Sequence, residues 1–234
     1  MNKRLEAIYD LIEKGKGIID VGTDHGYLPA ALAEKGYKGR IIASDIHAGP
    51  LAAARRTAES SGVEDKIQFL LCDGLEDCDP GAVDTIVIAG MGGDTICGIL
   101  DRAEWCMTPD YTLILQPMTK AEVVRYWLAY NGYEFLKEEL VKDGGTIYQI
   151  LKARIRENTR LSNGELFTGK FSLIRDNAFF PEYLQGLISR FEAGIKGLEE
   201  AKNAEPYKLS LRKSILSELL VMKEELNDKN SGRL

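Results

Sequence analysis

The stretch Gly17–Leu28, GIIDVGTDHGYL, joins a short apolar run to a glycine-containing turn and then to a helical pattern. Its first part, Gly17–Val21, is β-branched and of strand length, and it reads as a strand buried on both faces. Four similar runs follow: Arg40–Asp45 (RIIASD), Ile67–Cys72 (IQFLLC), Asp84–Ala89 (DTIVIA) and Thr112–Gln116 (TLILQ). Between them lie helical patterns at about Leu28–Lys35, Pro50–Ser60, Thr95–Asp101 and Thr119–Asn131. Pro50 suits a helix start, and Gly36 and Gly132 suit helix ends. Repeated strand–helix units imply an α/β fold, a mainly parallel sheet with helices on both faces. Tyr133–Val141 and Thr146–Ile155 then flank Asp143-Gly144-Gly145, which predicts an antiparallel hairpin on the sheet edge.

From about Arg160 the strand signals stop. Leu184, Ile188, Phe191, Ile195 and Leu198 form one apolar seam, and Leu211, Ile215, Leu219, Met222 and Leu226 form another. Asn203–Pro206 between them breaks the helix, so the expectation is a C-terminal α-helical coiled-coil hairpin, with domains at 1–157 and 158–234. Burial of both stripes against the main domain is the competing reading.

The 234 residues are 44% hydrophobic and 28% charged, ordinary for a globular chain. Cys72, Cys78, Cys97 and Cys106 match no zinc or redox spacing and no dense disulfide framework, which favours reduced thiols, a cytoplasmic location and no metal. No apolar run approaches the roughly 18 residues of a membrane span, so no membrane partner is expected. The net charge is −6, but residues 1–150 carry 15 basic and 24 acidic side chains, whereas 151–234 carry 15 and 12. Lys152, Arg154, Arg156, Arg160, Lys170 and Arg175 concentrate the positive excess beside an acidic body. A solvated face is the plainer cause of such a run.

In an open parallel sheet ligands bind beyond the carboxyl ends of the strands. After the first strand, Gly22, Thr23 and Gly26 let a ligand approach the backbone. The dinucleotide fingerprint G-x-G-x-x-G fails, because Asp24 takes the second glycine position and would oppose a pyrophosphate. Asp20 and Asp24 instead tolerate a cationic nucleoside such as S-adenosylmethionine. Asp45, 23 residues after Gly22, is placed to accept ribose hydroxyls. Asp73 and Gly74 follow the third strand, where the carboxylate can accept from an adenine amino group between Ile46 and Leu75. Each aspartate taken singly could instead cap the next helix. Ala89, Gly90 and Met91, then Gly92 and Gly93, and beyond the fifth strand Gln116 and Pro117, complete the donor and acceptor sides.

Three segments, DVGTDHGYL at 20–28, AGMGG at 89–93 and LILQP at 113–117, resemble the signatures of the bacterial tRNA (adenine-22-N1)-methyltransferase family. Met118 departs from the polar residue expected there. The resemblance spans the chain and implies a Rossmann-like class I methyltransferase sheet with a helical tRNA-binding domain. It further implies S-adenosylmethionine as donor and N1 of an adenine in the tRNA D-arm region as acceptor. Under it, Asp24 carries the charge that favours the cationic product, and His25 and Tyr27 orient or stack the extruded base. Arg154, Arg156, Arg160, Lys170 and Arg175 become a phosphate-contacting strip. His25 as a turn residue bonded to its own loop is the alternative. A small-molecule methyltransferase whose hairpin serves dimerisation and a non-catalytic nucleotide-binding scaffold are the competing functions, and a monomer or weak homodimer is compatible with all three.

Overall fold

The computed structural model describes residues 1–156, 159–201 and 205–230. It divides into two compact units, Met1–Thr159 and Arg160–Leu234. The expected domain junction at 157/158, and residues 203 and 204 of the expected helix break, lie outside the described residues.

The first unit holds seven strands: β1 (Gly17–Val21), β2 (Arg40–Asp45), β3 (Ile67–Leu71), β4 (Thr85–Gly92), β5 (Thr112–Thr119), β6 (Tyr133–Asp143) and β7 (Thr146–Ile155). Their spatial order is β3-β2-β1-β4-β5-β7-β6. β1 to β5 are parallel, while β7 is antiparallel to both β5 and β6. The strand order reverses at β1, between β2 and β4, and that switch point opens a crevice at the carboxyl ends. The helices α1 (Lys3–Leu11), α2 (Tyr27–Glu34), α3 (Ala48–Ser60), α4 (Gly93–Asp101) and α5 (Ala121–Tyr130) complete the unit.

Every residue of β1 is buried, as its apolar run requires. β3 departs from the expectation of two covered faces: Gln68 and Leu71 are exposed, because β3 is an edge strand. Thr119 prolongs β5, and α5 starts only at Ala121, after Lys120 has taken a left-handed turn at φ 56°. Helix α3 begins at Ala48, so Pro50 sits within its first turn. Gly36 and Gly132 end their helices at φ 77° and 79°, a region open to glycine at no steric cost.

Helix α1 lies in a segment that sequence reading left without an element. Asn2 caps it by accepting from Leu5 N–H at 2.9 Å, and Ile8 and Leu11 are buried. In the interior of the unit Arg125 of α5 donates from Nε and Nη2 to Glu138 Oε2 of β6 at 2.9 and 2.7 Å, and from Nη2 to Gln149 Oε1 of β7 at 2.9 Å. This buried pair ties α5 to the hairpin.

The second unit contains α6 (Asn163–Thr168), α7 (Phe171–Ile174), α8 (Phe180–Glu200) and α9 (Pro206–Asn230). Leu184, Ile188, Phe191 and Ile195 of α8 are buried, as are Ile215, Leu219, Met222 and Leu226 of α9. Lys223 donates to Gln185 at 2.8 Å and Lys213 pairs with Glu199 at 2.6 Å, so α8 and α9 run in opposite directions. The seams loosen at Leu198 and Leu211, which are only partly covered. α6 packs on the pair: Phe167 meets Phe191 edge to face at 5.0 Å, and Thr168 Oγ1 lies 3.7 Å from Met222 Sδ.

Candidate active site

The turn after β1 carries three left-handed residues in alternation, Gly22 (φ 70°), Asp24 (φ 53°) and Gly26 (φ 68°). A Cβ at Gly22 would lie 2.2 Å from Met91 Cε, so glycine is what lets the Met91 side chain rest against the turn. A Cβ at Gly26 would lie 2.7 Å from Ala54 Cβ, and its absence lets α3 approach. Asp24 accepts a conformation that L residues adopt only at a cost. Its backbone N–H donates to Asp45 Oδ2 at 3.4 Å, which links the turn to the end of β2.

The aspartates divide by environment. Asp20 is buried and accepts from Thr23 Oγ1 at 2.7 Å. Burial pushes its carboxyl up to about 6, against the pull of that hydrogen bond and the Arg4 charge. Asp45, also buried, accepts from His47 N–H at 2.9 Å. The Asp24 side chain is 73% exposed and lies 3.8 Å from His25 Nε2. His25 and Tyr27 stack, with ring centroids 5.5 Å apart, and both are exposed. Thus the structure brings Asp20, Thr23, Asp24 and Asp45 together, with a polar and aromatic lip above them.

At the end of β3, Asp73 Oδ1 accepts from Arg102 Nη2 at 2.9 Å. Gly74 is left-handed, and a Cβ there would meet Ile99 at 3.0 Å. Leu75 corrects the expected ring sandwich: the turn through Gly74 directs its side chain into the core, where it is buried. Ile46 does stand open, 53% exposed, and with Tyr27 and Met118 it offers apolar surface around the carboxyl ends of β1, β2 and β5. Met118 is thus an apolar lip residue.

On the β4–β5 side Gln116 is fully buried, and its Oε1 accepts from Gly90 N–H at 3.2 Å. The same oxygen accepts from Arg4 of α1. Gln116 Nε2 donates to Pro117 O at 3.0 Å. Gln116 therefore ties the irregular end of β4 around Gly90 to β5 and α1, with Gly92 and Gly93 leading into α4. A Cβ on Gly93 would strike Lys120 O at 2.3 Å. Lys120 itself pairs with Asp94 across the gap between β5 and α4. Arg4 is the residue that sequence reading missed. The N-cap at Asn2, ahead of a helical pattern, was the available signal, but nothing local says that this helix reaches the crevice.

Within the first unit, two of the basic residues lie at the other end of the sheet. Arg154 is half-buried and donates from Nε to Thr112 Oγ1 at 2.9 Å, and Arg156 lies 3.6 Å from Glu134. Thr112 begins β5, so both arginines stand at the amino ends of the parallel strands, the end opposite the crevice. Arg160 and Arg175 are exposed in the second unit, where Lys170 caps α7. All four cysteines are buried and free, with their thiols pushed up by burial. Among the described residues no helix is long and apolar enough to cross a membrane.

These residues suit an adenosine-bearing sulfonium donor. Open apolar surface lies beside the β2 carboxylate that would accept ribose hydroxyls, and Gly22 and Gly26 keep the turn itself slim. Asp20, Asp24 and Asp45 supply negative potential and no phosphate cradle.

A family model described as methyltransferase domain matches residues 1–151. The tRNA (adenine(22)-N(1))-methyltransferase of Bacillus subtilis is 29% identical over 232 residues, 97% of this chain and 97% of that protein. The crystal structure of the B. subtilis m1A22 tRNA methyltransferase superposes with a TM-score of 0.78 at 29% identity, covering 97% of each chain. A Streptococcus pneumoniae protein described as a putative tRNA (m1A22) methyltransferase, solved in complex with S-adenosyl-L-methionine, gives 0.78 at 27% identity over 97% of this chain and 99% of that one.

Proposed function

The chain belongs to the methyltransferase-domain family, and from that premise we propose that it methylates N1 of adenine 22 in tRNA with S-adenosylmethionine as donor. The observation that carries the acceptor is the likeness to tRNA adenine-22 methyltransferases over 97% of both chains, helical unit included.

When bound, the donor supplies an electrophilic methyl group on a sulfonium. Asp45 and the apolar face of Ile46 would hold its adenosine, while Asp20, Thr23 and the Gly22 turn would face its methionine portion. Asp73 would accept from the donor's adenine amino group through the oxygen that Arg102 leaves open.

Adenine N1 bears no proton at neutral pH, so the site needs no strong base. Its task is to place N1 in line and to favour an adenine that gains positive charge. Asp24 fits the second task, because its carboxylate stands in the open at the mouth of the crevice. His25 and Tyr27 fit the first as a stacking face for an extruded base. Met91, Gly92, Gly93 and Pro117 would flank that base on the β4–β5 side.

The two facing seams support reading α8 and α9 as a coiled-coil hairpin, and 158–234 as the tRNA-binding domain, with Arg160, Lys170 and Arg175 as phosphate contacts. Arg154 and Arg156 would add contacts from the amino ends of the strands. Incubating the protein with labelled donor and unmodified tRNA, followed by nucleoside analysis, tests the assignment: 1-methyladenosine is expected, and label in another nucleoside rules it out.

A further inference from the structure

A groove of about 360 Å³ is lined by His25 together with Ala53, Arg56, Thr57, Ser60 and Ser61 of α3 and the turn that follows it. No carboxylate lines it, in a unit that is otherwise strongly acidic. Its His25 end adjoins Asp24 and the Tyr27 ring, the face assigned above to the extruded base.

The two neighbouring arginines of α3 are used differently. Arg55 donates to Glu64 at 2.9 Å and lies over the Phe69 ring at 4.5 Å, so its guanidinium is already engaged. Arg56 is exposed and has no ion pair with any described residue, which leaves its planar fork open toward the groove. Thr57 and Ser61 also line a second groove of about 300 Å³, where Glu6 and Glu34 stand with Lys35, so the His25 groove alone combines an arginine with a lining free of carboxylates.

We propose that the groove beside His25 takes the sugar–phosphate backbone adjoining the extruded adenine, with Arg56 bonding a phosphate oxygen. This deepens the tRNA reading above and rests on it. A guanidinium is suited to a phosphate because it presents two parallel donors, and each phosphate neutralised releases condensed counterion. Arg56 is a substrate-positioning residue that makes no contact with the reacting atoms.

The test compares full-length wild type with Arg56→Ala, Arg56→Glu and Arg55→Gln. Unmodified tRNA binding is measured across a salt series, and donor binding reports that each variant is folded. Arg56→Ala is expected to lower the slope of log affinity against log salt by about one. Arg56→Glu is expected to weaken tRNA at least tenfold and to raise the tRNA KM with little change in kcat, while Arg55→Gln stays near wild type. Wild-type affinity and slope in Arg56→Glu, or an equal loss in Arg55→Gln, overturns the proposal while leaving the tRNA reading intact. A wild-type protein that neither binds nor methylates tRNA removes that reading, and this one with it.

Discussion

Thr23 Oγ1 donates to Asp20 Oδ2 at 2.7 Å inside the turn that leaves β1, beneath the crevice. Asp20 is buried, and its carboxyl is pushed up to about 6 from an ordinary value of 3.8. A cationic donor favours the ionised form, so its affinity should fall as pH drops through about 6, with proton release on binding near that pH. The sign for stability is opposite. Asp20 favours the folded state most below about 4, and that advantage is lost as pH rises through 6, so Asp20→Asn should match or exceed wild-type stability at pH 7. Calorimetry of donor binding between pH 5 and 8 checks the first point, and a flat profile in wild type contradicts it. Because the Arg4 charge holds the Asp20 value down, Arg4→Ala should move the midpoint of that profile upward.

Gly22→Ala combines a left-handed φ of 70° with a Cβ placed 2.2 Å from Met91 Cε. The Met91 methyl must swing away, and the turn carries strain of order 1–3 kcal/mol. Donor affinity should fall at least tenfold and the melting temperature should drop. The double variant Gly22→Ala, Met91→Ala relieves the clash and should recover part of the affinity; no recovery would mean that the backbone strain alone governs the loss.

Asp24→Asn removes the exposed charge while keeping a residue that tolerates the left-handed region. Donor affinity should stay within about threefold, and kcat for tRNA methylation should fall on the order of a hundredfold, as for loss of one preorganised electrostatic group. Full turnover in this variant takes Asp24 out of the chemistry.

Arg125→Met removes the guanidinium that pairs with the buried Glu138 carboxylate. A loss of about 3–5 kcal/mol is expected in urea unfolding. The paired replacement Arg125→Met, Glu138→Leu should recover most of it, since two apolar side chains carry no uncompensated charge. If the pair is as unstable as the single variant, packing and not charge is what Arg125 supplies.

Much of the fold was open to sequence reading because its strands are buried runs whose length and composition admit little else. Gly17–Val21, Arg40–Asp45 and Thr146–Ile155 fall where the apolar runs do. Boundaries set by backbone geometry were not open to it: Lys120 spends a left-handed turn before α5, and no side-chain pattern announces that. The grouping of Asp20, Asp24 and Asp45 at one end of the sheet was legible because each follows or ends its own strand. It was not legible where contact is made across the chain. Arg4 reaches Gln116 over 112 residues, and Leu75 is buried just beyond the left-handed Gly74. Nor does the run of basic residues announce that β7 carries Arg154, with Arg156 just beyond it, to the amino ends of the parallel strands.

The central claim is methyl transfer to one ring nitrogen at one tRNA position. Two transcripts of the same unmodified tRNA, one with adenine and one with guanine at position 22, are incubated with protein and donor, and methylated nucleosides are identified by mass spectrometry. About one 1-methyladenosine per adenine-22 transcript is expected, and none in the guanine-22 transcript. Equal methylation of both, or methylation at another atom, contradicts it.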